Sequence, residues 1–545
     1  VEGYGTRDGG DSWNADATVN VPLVTGRFAA RLTGYTATDA GWYDNVYAGG
    51  IRLSTLAAAV PRPPPGAPPP PPGSPPPPPF FVLPFVLPTL GPAAAPYAAP
   101  PVLREDVNEL ETDGARLMLN GRLSDAVDVE VALVWERQRQ DGDLGAQQIA
   151  PIPGRIPGTF IVPNTQNPAL SFAYPGTSDA SRFQQYQAAA SGLRDELRLA
   201  NVVVTWDAGV GTLTSSTAYW DRRSQFASDL GNLAWVYTGV AATLPLRAVR
   251  DDEPQTFIQE VRLASKGDEP WRWLGGLYYQ QIDQDFELGF VEDSPVQLAR
   301  SLISRLVPPG TPVPADITRQ VAACEDEQVA AFGELGYEFT PEWSAAASFR
   351  WFTLDQSADV VENVAQFQNL GPQQRSNSDD VFTPKVNVSY RPSEDQLWYA
   401  TAANGFRTGV INPDLPPGPC GRELAAAGFP QGAPSTEPDT VWNYELGAKL
   451  EFLDDRVSLN AAAYHIRWSD MQAQVNLNAL IPGSACQFPV QLNVGDARSQ
   501  GIELELAALL TERLRVDAAF AYTDAEYRTD YPAAGIAKGQ AVENV

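Results

Sequence analysis

Short and long links alternate strictly along this chain, and that order constrains its fold more than any single motif does. Tight polar turns each join two segments in which apolar and polar residues alternate with a period of two, which is the period of a β-strand. Much longer links, rich in Pro, Gly, Asn, Gln and Asp, separate the resulting hairpins. The turns are Leu23 to Gly26, Ser124 to Asp128, Asp207 to Val210, Ser265 to Glu269, Thr340 to Glu342, Pro392 to Asp395, Leu453 to Arg456 and Thr511 to Arg513. The long links cover approximately residues 41–112, 140–192, 224–254, 288–326, 356–380, 408–438 and 474–497.

The hairpin from Tyr444 to Trp468 shows the period most clearly. Its first strand places Leu446 on one face and both Glu445 and Lys449 on the other. By Ile466 the apolar positions have moved to the other parity. This change indicates either a β-bulge or a strand that leaves the apolar layer.

Alternating strands of this kind occur in soluble sandwiches, in propellers and in membrane barrels. A sandwich has no reason to collect every long link at one end, and a propeller would repeat four-stranded blades of similar length. A transmembrane antiparallel β-barrel has this asymmetry, with short periplasmic turns and long extracellular loops, and it must close because hydrocarbon leaves no backbone group unpaired. We therefore predict an all-β barrel of about 17 strands. In that fold Glu445, Lys449, Glu503 and Glu505 face a wet lumen.

Composition excludes several other classes of protein. The formal net charge is −28, from 66 acidic and 38 basic residues, and no basic run provides a footprint for nucleic acid. No uninterrupted apolar run reaches the about 18 residues that a transmembrane helix needs. The mean hydropathy of −0.23 agrees with a barrel, because lipid-facing and polar residues alternate and cancel.

Catalytic and metal-binding patterns are weak. The single histidine, His465, has no metal-ligating neighbours in the sequence, so we predict no metal site and no cofactor. Glu503 and Glu505 could in principle act as a carboxylate pair of a hydrolase, but a solvated barrel wall explains both, and we expect no enzyme. Cys420 and Cys486 lie in loop-like sequence, and either a disulfide between them or two free thiols is compatible with the pattern.

The proline-rich segment from Pro61 to Pro101 interrupts the strand pattern. Repeated prolines impose an extended polyproline II conformation and supply no ladder donors, so this segment is not a strand. We place it as an insertion in the first long extracellular loop. It is either a recognition arm or an insertion that the surface loop tolerates.

Several stretches resemble the TonB-dependent outer-membrane receptors. They occur in the family's order across nearly the whole chain: FAARLTGYTATDAGWYDNV (28–46), LTSSTAYWDRRSQF (213–226), QEVRLAS (259–265), TPKVNVSYRPSEDQLWYATAANGFRTGVIN (383–412), VWNYELGAKLEF (441–452) and SQGIELEL (499–506). Asn404 and Val410 depart from the family's usual form of the GFRTG motif. Family barrels have about 22 strands and enclose a plug domain. The resemblance therefore implies that residues 1–545 are a partial barrel, with the plug domain and the last strands not present.

The resemblance also implies a location, a function and partners. The implied location is the bacterial outer membrane. The implied function is uptake of a scarce ligand, most often a ferric siderophore, and the implied partner is a TonB–ExbB–ExbD complex that is coupled through the plug. Cobalamin or an oligosaccharide is the alternative cargo, and a passive porin or a surface adhesin is the alternative function. Arginine binds carboxylate or phosphate bidentately and aromatic faces suit catechol rings or sugars. On that ground the candidate ligand contacts are Arg407, Arg222, Arg223, Tyr237 and Arg422.

Overall fold

A computed structural model describes the strands and many of their connections. The described residues are 1–5, 9–47, 102–142, 159–162, 172–175, 184–185, 191–229, 247–267, 269–291, 316, 318–365, 368–412, 414–415, 417–430, 432–454, 456–477, 481, 486 and 488–542. The proline-rich segment at 61–101 and Tyr237 lie outside them.

Strands dominate the described part of the chain. In the first half they are β1 (Glu2–Gly5), β2 (Asp11–Val24), β3 (Phe28–Asp39), β4 (Asp44–Tyr47), β5 (Val102–Arg104), β6 (Leu110–Ser124), β7 (Val127–Asp141), β8 (Thr159–Val162), β9 (Phe172–Pro175), β10 (Gln184–Gln185), β11 (Gly192–Asp207), β12 (Thr212–Asp229) and β13 (Arg247–Ala264). In the second half they are β14 (Trp271–Val291), β15 (Arg319–Glu338), β16 (Trp343–Ala365), β17 (Gln368–Asn369), β18 (Gln373–Ser393), β19 (Gln396–Arg407), β20 (Asp439–Phe452), β21 (Val457–Ser469), β22 (Gln472–Asn476), β23 (Pro489–Asn493), β24 (Ala497–Thr511) and β25 (Leu514–Tyr527). One helix, α1 (Pro417–Ala426), and a 3₁₀ turn at Pro532–Ala534 complete the elements found among the described residues.

One large antiparallel sheet contains the long strands. Among the described residues it has 18 strands, of which β1 and β17 are short, and each long strand pairs with its neighbours along the chain. The order is β1, β2, β3, β6, β7, β11, β12, β13, β14, β15, β16, β18, β19, β20, β21, β24 and β25, and the short β17 pairs antiparallel with the end of β16. Among the described strands, β1 pairs only with β2 and β25 only with β24, although β25 also forms a bridge between Glu526 and Ala541. The all-β fold and the approximate strand count are confirmed. No helix in the described part of the chain is long and apolar enough to cross a membrane.

The eight predicted turns each join two paired strands. In the hairpin of β20 and β21 the register runs without a shift from Thr440 opposite Ser469 to Phe452 opposite Val457. A β-bulge is therefore excluded as the cause of the parity change near Ile466. The strand instead continues beyond the apolar layer.

The register also defines two faces of the main sheet. Leu446, Ala463 and Ile502 lie in one cross-strand row, and the alternate residues Glu445 and Tyr464 lie in a row on the opposite side. We call the side of Leu446 the outer face and the side of Glu445 the inner face. The outer face carries an apolar band of half-exposed side chains, including Leu277, Leu446 and Phe520.

Several strands extend further than the sequence pattern predicted. Residues 356–380 were expected to form a long link, yet β16 continues to Ala365 and β18 already begins at Gln373. The links expected at 224–254 and 288–326 are shortened in the same way, because β12 and β13 and then β14 and β15 pair through their far ends. The start of β18, which reads QQRSNSDD, is polar on both faces and shows no alternation, although its backbone ladder with β16 forms all the same.

Candidate functional site: the rim and the inner face

We call the end of the main sheet that leads into the long links the rim. Near the rim, β18 and β19 separate from each other. These two strands pair from Lys385 to Tyr390 and again at Ser393, next to their turn, whereas β18 pairs with β16 from Gln373 onward. Phe406 packs in this gap with its ring 4.4 Å from that of Phe352, which is fully buried. The chain that follows β19 therefore leaves the sheet at this point.

An ion pair fixes the exit of the chain from β19. Arg407 makes a bidentate ion pair with Asp439, whose side chain is fully buried. Arg407 Nη2 also donates to the backbone oxygen of Gln472 at 3.0 Å, and its guanidinium lies 4.8 Å from the ring of Trp468. Gln472 N in turn donates to Asp439 Oδ2 at 3.0 Å. The hydrogen bonds of the Arg407 guanidinium thus join β19 to β20, at Asp439, and to β22, at Gln472.

The residues after Arg407 lie against the upper part of β18. Gly409 N donates to Asp379 Oδ2 at 2.9 Å, and a Cβ at Gly409 would come within 2.2 Å of the Thr436 backbone oxygen. Arg375 forms an ion pair with Asp414. A glycine is required at 409 because neither the backbone of Thr436 nor the carboxylate of Asp379 leaves room for a side chain.

A disulfide holds a small packed unit above this region. Cys420 on α1 is joined to Cys486, with the two Cα atoms 4.8 Å apart. We call this unit the rim module: α1, β22, β23 and the residues after β25, with a shared apolar core. Burial in this core raises the pKa of Tyr531. The core residues are Leu415, Cys420, Leu424, Ala433, Val475, Leu477, Cys486, Val490, Leu492, Val494 and Ile536.

The four residues predicted to face the lumen share the inner face. Glu445, Lys449, Glu503 and Glu505 alternate with apolar residues of the outer face, and the register places them on the same side. Glu445 accepts a hydrogen bond of 2.7 Å from Tyr399 Oη. Glu505 Oε2 accepts one of 3.3 Å from Asn460 Nδ2. The inner face at this side of the sheet is acidic and hydrogen-bonded.

The remaining candidate contacts do not form one cluster. Arg222 lies on the inner face, in an ion pair with the buried Asp195. Its neighbour Arg223 lies on the outer face, 2.8 Å from Glu253, and lines a cavity of about 930 Å³ there. Arg422 is exposed on α1 in the rim module. The structure separates these arginines from Arg407.

No sequence motif marks the residues whose contacts fix the rim. Asp379, Asp439 and Gln472 lie in three segments without a motif, and only the fold brings them together. No group of three His, Cys, Asp and Glu side chains in the described part of the chain could hold a metal ion.

The sheet consists of long hairpins of chain neighbours, it is apolar on its outer face and polar on its inner face, and a packed rim lies at the end of the long links. These features are those of the wall of an outer-membrane β-barrel. The chain belongs to the TonB-dependent receptor family: the family model described as "TonB dependent receptor-like, beta-barrel" matches residues 119–545. The resemblance seen in the sequence is thus confirmed.

Curated relatives and solved structures agree with this assignment. The metal-pseudopaline receptor CntO of Pseudomonas aeruginosa is 30% identical over 210 residues, which cover 38% of this chain and 25% of the relative. The probable TonB-dependent siderophore receptor PiuA of Acinetobacter baumannii is 22% identical over 191 residues, or 35% of this chain and 22% of the relative. The ferric yersiniabactin uptake receptor FyuA of Yersinia pestis matches in fold with a TM-score of 0.60 at 14% identity, covering 95% of this chain and 59% of that chain. The chain therefore spans less than two thirds of the length of these relatives.

Proposed function

We propose that this chain forms the barrel wall of an outer-membrane receptor for energy-coupled uptake of a metal chelate, most specifically a ferric siderophore. The observation that carries the proposal is the two-sided wall, apolar outside and polar inside, in a chain of this family. The similarity to CntO and PiuA supports a metal chelate as the cargo.

Coupling belongs to the same proposal. In the complete protein, a plug domain inside the barrel would contact the TonB–ExbB–ExbD complex, and the pull of that complex would release the ligand inward. The receptor itself carries out no covalent chemistry. Cobalamin or an oligosaccharide would be taken up by the same route.

Ligand capture is assigned to the rim module. The disulfide and the apolar core hold the segments of the rim module in a fixed arrangement at the end of the long links. Arg422 projects from this module with its side chain 77% exposed, so it is available to a carboxylate or phosphate group. Arg407 supports the module through Asp439, and we therefore assign it a positioning role.

The test is growth of a strain that lacks its own receptors and carries the complete gene. The strain is supplied with ferric chelates, cobalamin or oligosaccharides as the sole source, with and without TonB. Rescue by one ferric chelate only in the presence of TonB is the expected result. Rescue that persists without TonB would mean a passive porin, and binding to cells without any uptake would mean an adhesin.

A further inference from the structure

Two exposed arginines of the outer face, Arg139 on β7 and Arg194 on β11, lie directly opposite each other near the rim. Arg194 makes no ion pair with another described residue. Arg139 lies 4.0 Å from Asp141, which also pairs with Arg104 at 3.3 Å, and Glu111 opposite Arg139 forms no ion pair with it. Like charges directly opposite each other destabilise a strand pair. The sheet therefore holds two positive charges side by side with little compensation from its own side chains.

Two further arginines extend this pair along the outer face. Arg137 and Arg223 line the same cavity of about 930 Å³ as Arg139 and Arg194. Each of these two has an acidic partner at 2.8 Å, and its side chain is more than half exposed. Exposed ion pairs contribute little to stability, so a better anion can replace either acidic partner. We call these four residues the outer arginine cluster.

The outer arginine cluster lies directly beyond the apolar band of the outer face. Arg194, Val202 and Val204 are alternate residues of β11 and therefore share one face. Trp206 lies at the turn end of β11, and Trp135 on β7 lies between the apolar band and the cluster. Aromatic residues mark the two borders of a membrane-spanning band. The cluster is therefore at the level of the lipid headgroups, on the side of the rim.

A groove in the apolar band leads to the cluster. The groove has a volume of about 420 Å³, and its lining includes the small residues Ala115 and Ala200 beside the larger Leu117 and Leu133. Arg198, whose side chain is 64% exposed, lines the groove at its end toward the rim. An apolar groove that ends at cations has the chemistry to hold an acyl chain joined to an anionic headgroup.

We propose that the outer arginine cluster and this groove together bind a phosphorylated, acylated lipid of the outer leaflet. Arginine binds phosphate bidentately, and a phosphate between Arg139 and Arg194 would neutralise the two opposed charges. The acyl chains of the same lipid would lie in the groove. On the side of the cavity formed by β13 and β14, Asp251 and Asp285 would repel a phosphate, which limits the site to β7, β11 and β12. The site lies on the opposite face of the wall from the ligand path, so it goes beyond the proposed uptake function and does not depend on it.

The experiment measures binding of three probes to the complete receptor, purified in detergent. The probes are diphosphoryl lipid A, the same lipid without its phosphates, and inorganic phosphate. We expect diphosphoryl lipid A to bind most tightly, because it engages both the cluster and the groove. Arg194→Gln should weaken the binding of diphosphoryl lipid A by about tenfold, as loss of a charge-assisted contact predicts, and leave the binding of the dephosphorylated lipid unchanged.

Arg116→Gln is the matched control, because it removes the same charge from an exposed arginine of the inner face, opposite Thr33 and Val134. We expect this variant to bind all three probes as the unaltered receptor does. Ala200→Phe fills the groove and should weaken the binding of both lipids. Unchanged binding of diphosphoryl lipid A to Arg194→Gln would overturn the proposal, as would equal binding of the two lipids to the unaltered receptor. Binding of inorganic phosphate as tight as that of diphosphoryl lipid A would also overturn it, because the occupant would then be a free anion.

Discussion

Three tyrosines of the inner face lie against glycines of the neighbouring strand. The pairs, with the distance from a Cβ built on the glycine to the nearest tyrosine side-chain atom, are Tyr35 with Gly114 (2.1 Å), Tyr399 with Gly447 (2.4 Å) and Tyr464 with Gly501 (2.6 Å). Tyr399 also donates to Glu445, which pins the ring across the strand pair. Gly114 and Gly447 are therefore required by contact with a ring rather than by backbone conformation, and Gly501 is required both by the Tyr464 side chain and by the backbone oxygen of Tyr522, which lies 2.2 Å from such a Cβ.

Replacing Gly447 with alanine should destabilise the wall. The added methyl group would displace the Tyr399 ring and break its hydrogen bond to Glu445, and overpacking of this kind costs about 1–3 kcal/mol. Gly405→Ala is the control, because nothing lies within 4 Å of a Cβ there. Denaturant unfolding of the complete receptor in detergent measures both variants. Equal stability of the two variants would contradict this account of the glycine.

Asp439 should contribute more to the stability of the protein than Asp517, the acidic partner of the exposed Arg515. Asp439→Asn removes the buried charge that holds Arg407 and Gln472, and the half-exposed position of Arg407 limits the expected loss to about 1–3 kcal/mol. Asp517→Asn breaks the exposed pair with Arg515 and should cost about 0–1 kcal/mol. The two variants are compared by denaturant unfolding of the complete receptor in detergent, with protease cleavage of the rim as a second readout. A larger effect at Asp517 would refute the proposed role of the Arg407 ion pair.

At the scale of elements, the alternating pattern predicted the hairpins but not the strand ends or the rim. All eight turns are flanked by segments with one apolar face, which the sequence displays directly. The start of β18 reads QQRSNSDD, polar on both faces, so nothing in it distinguishes a strand from a loop. Its strand character comes from the ladder with β16, a partner more than ten residues away.

The rim module could not be predicted for a related reason. Its core unites α1, β22, β23 and the residues after β25, which are short segments separated by whole hairpins. The contact of the Arg350 guanidinium with the rings of Tyr278 and Phe332 likewise shows no motif, because the two rings belong to other strands, β14 and β15. The spacing of residues within one segment does not predict contacts between segments that lie so far apart in the sequence.

The disulfide should stabilise the rim module and leave the wall unaffected. It closes a segment of 66 residues, and loss of such a link costs at most about 4 kcal/mol, reduced here because β20 and β21 already tether that segment. We expect the Cys420→Ser, Cys486→Ser double variant to be cut by protease in the rim while the strands stay protected. Cys324→Ser, which removes a free thiol of β15, is the control and should be resistant. Cleavage of the strands before the rim would contradict this order of opening.

At the scale of the whole molecule, one antiparallel sheet separates two environments. Its outer face carries an apolar band, its inner face carries Glu445, Glu503 and Glu505, and its rim is tied by an ion pair and a disulfide. Between the edge strands β1 and β25, each long strand pairs with its chain neighbours, and the backbone polar groups along these pairings are satisfied within the sheet. Such a wall suits passage of a polar ligand through an apolar layer.

The most direct test of this account is the initial rate of uptake of radioactive iron, supplied as a ferric chelate, into cells that carry the complete receptor. We predict saturable uptake in cells with TonB, and uptake reduced to the background of receptor-free cells when TonB is deleted. Equal uptake in both strains would contradict energy-coupled transport and leave a passive pore as the function of the wall.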